Sequence, residues 1–307
     1  MVTVVSALTS LESLHLQFPY LQSRPDQATQ HPPSSTRTSL SVLTELRFKG
    51  VSEYAEDLVA RIAVPQLRTL DITFSNEIIF DTSQLVQFIC RIPKLKMLEE
   101  ARVLFDHDTA RVTLTSRTSG HRDFTVEISC EKSDRQLSTM AQIFTSPLPP
   151  VSTLEDLYIQ EEEDSQLDWQ NNIEIMAWLE LLRPFTGVKD LYLFKQFVLR
   201  IAPALQVLVG DRSTEVLHAL QNILLEGLQS SGSVQAGIVQ FVAARQVTSH
   251  PITVACWERC KEESEEEENE DDDDEDENDD GEYDEVDDDG DEYDGDDDDD
   301  DEVEEDS

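Results

Sequence analysis

The chain has 307 residues, of which 66 are acidic and 23 basic, for a formal net charge of −43. The imbalance belongs to one segment: Glu262 to Ser307 holds 35 acids and no Lys or Arg, leaving 31 acids against all 23 bases before it. Such a body lacks the clustered Lys and Arg that phosphate contacts need, which disfavours direct nucleic-acid binding. Four cysteines are too few for a disulfide framework and fit a reducing, intracellular setting, cytoplasmic or nuclear. No apolar run reaches the ~18 residues needed to cross a membrane.

One pattern recurs through the body: apolar, two variable, apolar, two variable, apolar, one variable, apolar. It starts at Leu8, Leu11, Leu14 and Leu16, without the basic, apolar profile of a signal peptide. Residues 18–39 follow, rich in Pro, Ser, Thr and Gln, and read as a loop. The pattern returns at Leu40, Leu43, Leu46, Phe48 and again at Val64, Leu67, Leu70, Ile72. Asp81, Thr82 and Ser83 could cap a helix with Leu85, Phe88, Ile89 and Ile92 on one face. A fourth copy begins at Ile92, Leu95, Leu98 and runs on into Ala101, Val103 and Phe105.

Residues 101–130 alternate as strands, with turn signals at DHDT and TSGHRD, and read as a β insertion that widens the sheet. A helix from Ser133 or Asp134 carries Leu137, Met140, Ala141 and Phe144 on one face. Further copies are Val151, Leu154, Leu157, Ile159, then Phe185, Val188, Leu191, Leu193, then Leu217, Leu220, Ile223, Leu225. Helical spacing over Ile175, Met176, Leu179, Leu182 and over 234–244 fills two of the gaps.

The closing apolar–variable–apolar step of each copy is strand alternation, with both apolar side chains on one face. Leu14, Leu46 and Leu70 are 32 and 24 residues apart, and Leu157, Leu191 and Ile223 are 34 and 32 apart. Strand then helix, repeated at this interval, predicts an α/β fold: an irregular leucine-rich-repeat-like solenoid of parallel strands over residues 1–261, with helices on the convex side. Residues 262–307 make a second region. Their only apolar or aromatic residues are Tyr283, Val286, Tyr293 and Val303. These cannot offset roughly 1–2 kcal/mol of backbone entropy per residue, so an intrinsically disordered acidic tail is expected.

Catalytic patterns are missing. The six histidines (His15, His31, His107, His121, His218 and His250) fall in no zinc-binding spacing. Cys256 and Cys260 lack a second pair, and Gly227, Gly232 and Gly237 are not followed by the Lys-Ser or Lys-Thr of a phosphate loop. His107-Asp108 lies in a turn signal, and Glu161 to Asp164 reads as an exposed acidic loop. The expectation is a protein that is not an enzyme and needs no cofactor or metal.

A partner would meet the variable residue inside each strand, which points out of the concave sheet face unless helices or the insertion cover it. Those residues are His15, Arg47, Asp71, Tyr158, Tyr192 and Leu224, flanked by Asp156, Gln160, Asp190 and Phe194. Tyr158 and Tyr192 occupy equivalent places in adjoining copies and are of a residue type enriched in interface cores. The tail offers other uses: solvation, capture of basic proteins such as histones, or screening of basic patches on the body. Ser264, before four glutamates, resembles an acid-directed kinase site.

The phrases LTSLESLHLQFP, VPQLRTLDITF, FICRIPKLKMLEEARVLFD, RIAPALQVLVGDRSTEVLHALQNILLEGLQ and VQFVAARQVTSHPITV resemble the leucine-rich-repeat regions of F-box-type proteins of mushroom-forming fungi. The resemblance spans nearly all of Met1 to Arg259. It implies a repeat domain that holds a target protein for a cullin–RING ubiquitin ligase, whose adaptor engages the F-box. The chain opens inside a repeat, with no place for F-box helices before Leu8, so the adaptor contact does not carry over. A fragment of a longer product and a member without its F-box both fit, and Met1 to Val5 are expected to leave the first repeat uncapped. A binding module related to ubiquitin-ligase substrate receptors is therefore the first expectation, and an acidic-tailed chaperone of basic proteins the second.

Overall fold

The computed structural model describes residues 10–18, 37–75, 83–117, 122–130, 133–145, 151–162, 175–208, 212, 214–226 and 232–257. The chain divides into two units, Met1–Cys260 and Lys261–Ser307, and every described residue belongs to the first. The acidic tail, Met1 to Val5, most of the 18–39 stretch, Asp81, Thr82, Gly227, Glu163, Asp164 and Cys260 lie outside the described residues.

The fold is mixed α/β, a large and mostly parallel sheet with six helices among the described residues. In chain order the first strands are β1 (Ser13–Gln17), β2 (Thr38–Ser39) and β3 (Glu45–Gly50), followed by α1 (Ser52–Arg61), β4 (Ile62–Ala63), β5 (Thr69–Phe74) and α2 (Ser83–Cys90). The middle is β6 (Glu100–Phe105), β7 (Thr109–Thr115), β8 (Arg122–Ser129) and α3 (Ser133–Thr145). Then come β9 (Asp156–Glu161), α4 (Ile175–Leu182), β10 (Asp190–Leu193), α5 (Lys195–Gln206), β11 (Asn222–Glu226), α6 (Gly232–Val247) and β12 (Thr253–Trp257).

Ten strands form one sheet in the order β1-β3-β5-β8-β7-β6-β9-β10-β11-β12, while β2 and β4 pair separately. Neighbours run parallel except where β7 meets β6 and β8. The alternating stretch at 101–130 thus supplies three adjacent strands: the chain crosses from β5 to β6, and two hairpin steps fill the space between. The leucine-bearing segments lie side by side. Leu14, Leu46 and Leu70 are in register, as are Leu157, Leu191 and Ile223.

The fourth copy needs a correction. Ala101, not Leu98, sits level with Leu157, so its four positions are Leu95, Leu98, Ala101 and Val103. A three-residue step repeated along the sequence allows either phase, and strand pairing selects the second. The sequence also gave no warning of α5, which accommodates Pro203, or of β12. At the margins of the 18–39 stretch, Phe18 packs on Phe48 and Tyr54, and Thr38–Ser39 pair with Ile62–Ala63.

Backbone hydrogen bonds between the turns that precede the strands hold the register. The Glu12 carbonyl accepts from the amides of Thr44 and Glu45, and the Thr44 carbonyl from those of Arg68 and Thr69. Beyond the insertion Glu99 serves Glu155 and Asp156, Glu155 serves Lys189 and Asp190, Lys189 serves Gln221 and Asn222, and Gln221 serves Thr253. All these bonds measure 2.7–3.2 Å. Close stacking leaves no room for a side chain at Gly187, where a Cβ would collide with the Ser152 carbonyl.

The in-register apolar residues form one core with the buried faces of the helices, which pack α1 on α2 and then α3, α4, α5 and α6 in succession. Phe105, Trp178 and Phe197 meet at its centre, with ring centroids 5.4–6.0 Å apart. The first amides of α2 donate to the Glu56 carboxylate of α1, at 2.8 Å each, so one helix caps the next. Among the described residues no helix is long and apolar enough to cross a membrane.

Arg245 of α6 is fully buried and donates through Nη2 to the carbonyls of Leu217, His218 and Leu220 at 3.1–3.2 Å. It thereby fixes the turn before β11, in which Leu217 takes a left-handed φ of 51°. Arg245→Met is expected to lower the unfolding free energy by about 2–3 kcal/mol, because buried carbonyls lose a charged donor. Urea unfolding followed by circular dichroism measures this, and an unchanged midpoint contradicts the role.

Candidate binding surface on the open sheet face

Strand alternation sends the residues between the core positions to the face opposite the helices. Register gives them one row across ten strands: His15, Arg47, Asp71, Thr125, Thr113, Arg102, Tyr158, Tyr192, Leu224 and Ala255. The predicted positions all fall on this face, but not together. His15, Arg47 and Asp71 are on β1, β3 and β5, and four strand spacings of ~4.8 Å, about 19 Å, separate Asp71 from Tyr158.

The first group is a polar network. Glu45 accepts a hydrogen bond from Ser13 at 3.0 Å, pairs with Arg47 at 2.6 Å and lies 3.4 Å from His15. Burial opposes its charge, but Ser13 and Arg47 outweigh burial and hold the carboxyl below its ordinary value. His15 and Arg47 remain more than half exposed. Such pairs contribute little to stability.

The second group is aromatic. Tyr158 and Tyr192 stack with centroids 4.1 Å apart and planes 9° from parallel. The Arg102 guanidinium lies 5.2 Å from the Tyr158 ring centroid, a cation–π arrangement, while its Nε bonds Glu100 at 2.6 Å. Trp257 stands edge-on to Tyr192 at 5.4 Å, Phe194 at 5.2 Å and Tyr158 at 6.4 Å. Because β11 separates β12 from β10, the indole spans an intervening strand to make these contacts.

Acidic residues border the stack where the parallel strands begin. Glu100, Asp156 and Asp190 are in register on β6, β9 and β10. Asp156 is buried, and its Oδ2 accepts from Arg117 Nη2 at 2.5 Å and Nε at 3.1 Å. Arg117 also reaches Glu155 at 3.3 Å, and Glu155 pairs with Lys189 at 2.5 Å. Asp190 accepts from the Asn222 amide at 2.6 Å. Burial raises the Asp156 carboxyl above its usual range despite Arg117, with the charges of Asp190 and Glu100 adding to the rise. Gln160, two residues beyond Tyr158, is buried as well.

Arg102, Arg117 and Trp257 were not singled out from the sequence. Alternation in ARVLF puts Arg102 opposite Ala101 and Val103, but only the pairing of β6 with β9 brings it to Tyr158. Arg117 lies just before the TSGHRD turn signal, and Trp257 belongs to no leucine copy. His107 lies at the β6–β7 turn with Asp106 and Asp108, and this trio, with Asp106 partly buried and the other two exposed, is a group whose ligand atoms could converge on a cation. The Asp106 carboxylate and the charge of Asp108 raise its imidazole above the ordinary value. No protein-family model, curated protein or solved structure matches the chain.

Burial, followed by the hydrogen bond to Tyr192, raises the Tyr158 hydroxyl well above the ordinary value of 10.0, and burial also raises Tyr192. In the unfolded chain both would ionise near that ordinary value. The unfolded state therefore releases protons first as pH rises, and their contribution to stability is lost above about pH 10. Tyr158 and Tyr192 are expected to titrate late in absorbance at alkaline pH. The Tyr158→Phe, Tyr192→Phe double variant should lack that late step, and persistence of the step would contradict the assignment.

Proposed function

We propose that the chain is a non-catalytic protein-binding module, a leucine-rich-repeat-type solenoid that holds a target protein on its open sheet face. The carrying observation is the Tyr158–Tyr192 stack, set in register on adjoining strands and joined by Arg102, Phe194 and Trp257. Tyr, Trp and Arg dominate the energetics of protein interfaces because they combine large apolar area with polar ends. A stack built on strands is already ordered, so binding costs little further side-chain entropy. The solenoid reading is supported by strand–helix units that stack on their sequence neighbours, turn on turn, through repeated carbonyl–amide bonds.

The charged groups on the face support a binding role over a catalytic one. Glu45 is engaged with Arg47, Glu100 with Arg102, Glu127 with Arg111 and Asp156 with Arg117. In this reading they set the shape and charge of a contact surface. The repeat phrasing extends the proposal to target recognition of the kind performed by F-box ubiquitin-ligase substrate receptors.

Affinity capture followed by quantitative mass spectrometry tests the reading. The Tyr158→Ala, Tyr192→Ala double variant is expected to lose its bound proteins while its circular dichroism spectrum stays as in the parent. Retention of the same proteins by the folded double variant would falsify the proposal.

A further inference from the structure

The aromatic end of the face also carries information about the chemistry of its partner. Three carboxylates, Glu100, Asp156 and Asp190, are in register beside the tyrosine stack, and Glu226 lies further along the same face. Arg102 and Arg117 are the cations paired with the first two. Asp156 is only 5% exposed, and while its Oδ2 is held by Arg117, its Oδ1 is buried with no hydrogen-bond partner among the described residues. A buried carboxylate oxygen without a donor is costly, and a cation placed beside it relieves that cost.

Arg102 shows what the site accepts. Its guanidinium lies over the Tyr158 ring and bonds Glu100, yet its side chain is 47% exposed. A long, half-exposed side chain of this kind can swing outward at small cost. Glu100 faces Asp156, and Arg102 faces Tyr158 two residues further along the same strands. A guanidinium from another molecule in the place of Arg102 would therefore have a ring beneath it and two carboxylates within reach.

We propose that this end of the face binds an arginine-bearing segment of a partner protein, the arginine displacing Arg102 from Tyr158 and donating to Glu100 and Asp156. The proposal rests on the binding-face reading and specifies the partner as cationic. Tyr192, Phe194 and Trp257 then contact the apolar stem and flanking residues of the segment. The net negative charge of the body before Glu262 favours the same class of partner.

The test uses the full chain and three synthetic peptides that alternate Gly-Ser with arginine, lysine or uncharged citrulline. Binding is measured by calorimetry in about 0.5 M NaCl, where long-range attraction to the 35 tail carboxylates is screened. The arginine peptide is expected to bind about tenfold more tightly than the lysine peptide, and the citrulline peptide not to bind measurably. Asp156→Asn and the Tyr158→Ala, Tyr192→Ala pair should each weaken arginine-peptide binding about tenfold, whereas Arg102→Gln should strengthen it about threefold. If Asp156→Asn fails to fold, Glu100→Gln with Asp190→Asn takes its place with the same expected loss.

A citrulline peptide bound as tightly as arginine, with both lost in the tyrosine variant, would leave the binding face standing and remove its cationic partner. Lysine bound as well as arginine, or weaker binding in Arg102→Gln, would overturn the displacement of one guanidinium by another. Arginine-peptide binding indifferent to every substitution would remove both this proposal and the role of the tyrosines, placing the attraction elsewhere in the chain.

Discussion

The organisation of the sheet depends on one repeated backbone interaction. In each run of parallel strands, the turn before a strand offers one carbonyl to the amides that open the next strand: Glu12 to Thr44 and Glu45, Glu99 to Glu155 and Asp156, Glu155 to Lys189 and Asp190. These bonds satisfy polar groups that would otherwise be stranded where turns stack. They also set the level of each strand, and a slip of one residue would exchange its two faces. With the level fixed, Leu157, Leu191 and Ile223 enter one apolar layer, and Tyr158, Tyr192 and Leu224 are carried to the opposite side. Core and surface row are two consequences of the same register.

The stretch from β6 to β8 divides that row into unlike halves. With β7 running against its neighbours, β8 and β7 stand between β5 and β6, the strands of the third and fourth leucine-bearing copies. On the near side the face is a partly exposed polar network around Glu45. On the far side it is an aromatic surface bordered by carboxylates. The stretch does more than space the halves, because it brings Arg102 to Tyr158 and Arg117 to Asp156. Two of the cations that shape the aromatic half thus come from this stretch, Arg102 from β6 and Arg117 from the residues after β7.

The electrostatics of the aromatic half follow from how much water each carboxylate keeps. Glu45 is more exposed and has both a hydroxyl and a guanidinium donor, so its ionised form is favoured. Asp156 has Arg117 on one oxygen only, has lost most of its water and faces two further acids, so its ionised form is disfavoured. Similar pairing with arginine therefore gives opposite shifts. Burial decides between them. Tyr158 and Tyr192 obey the same rule, since removing water penalises the phenolate far more than the neutral phenol.

Local spacing by itself determined the apolar positions, the strand–helix alternation and the side of each strand on which Tyr158, Tyr192, Arg47 and His15 would lie. These follow from a period of two along a strand and of 3.6 along a helix, which neighbouring residues are enough to reveal. Tertiary pairing decided the rest. The phase of the fourth copy, the order β8-β7-β6, the place of Arg102 over Tyr158 and the reach of Trp257 across β11 all depend on contacts between distant segments. A three-residue step fits two phases equally well, and Thr253–Trp257, exposed along most of its length, bears little of the apolar alternation by which a strand is recognised. Burial leaves its mark on a sequence, whereas the choice of strand neighbour leaves almost none.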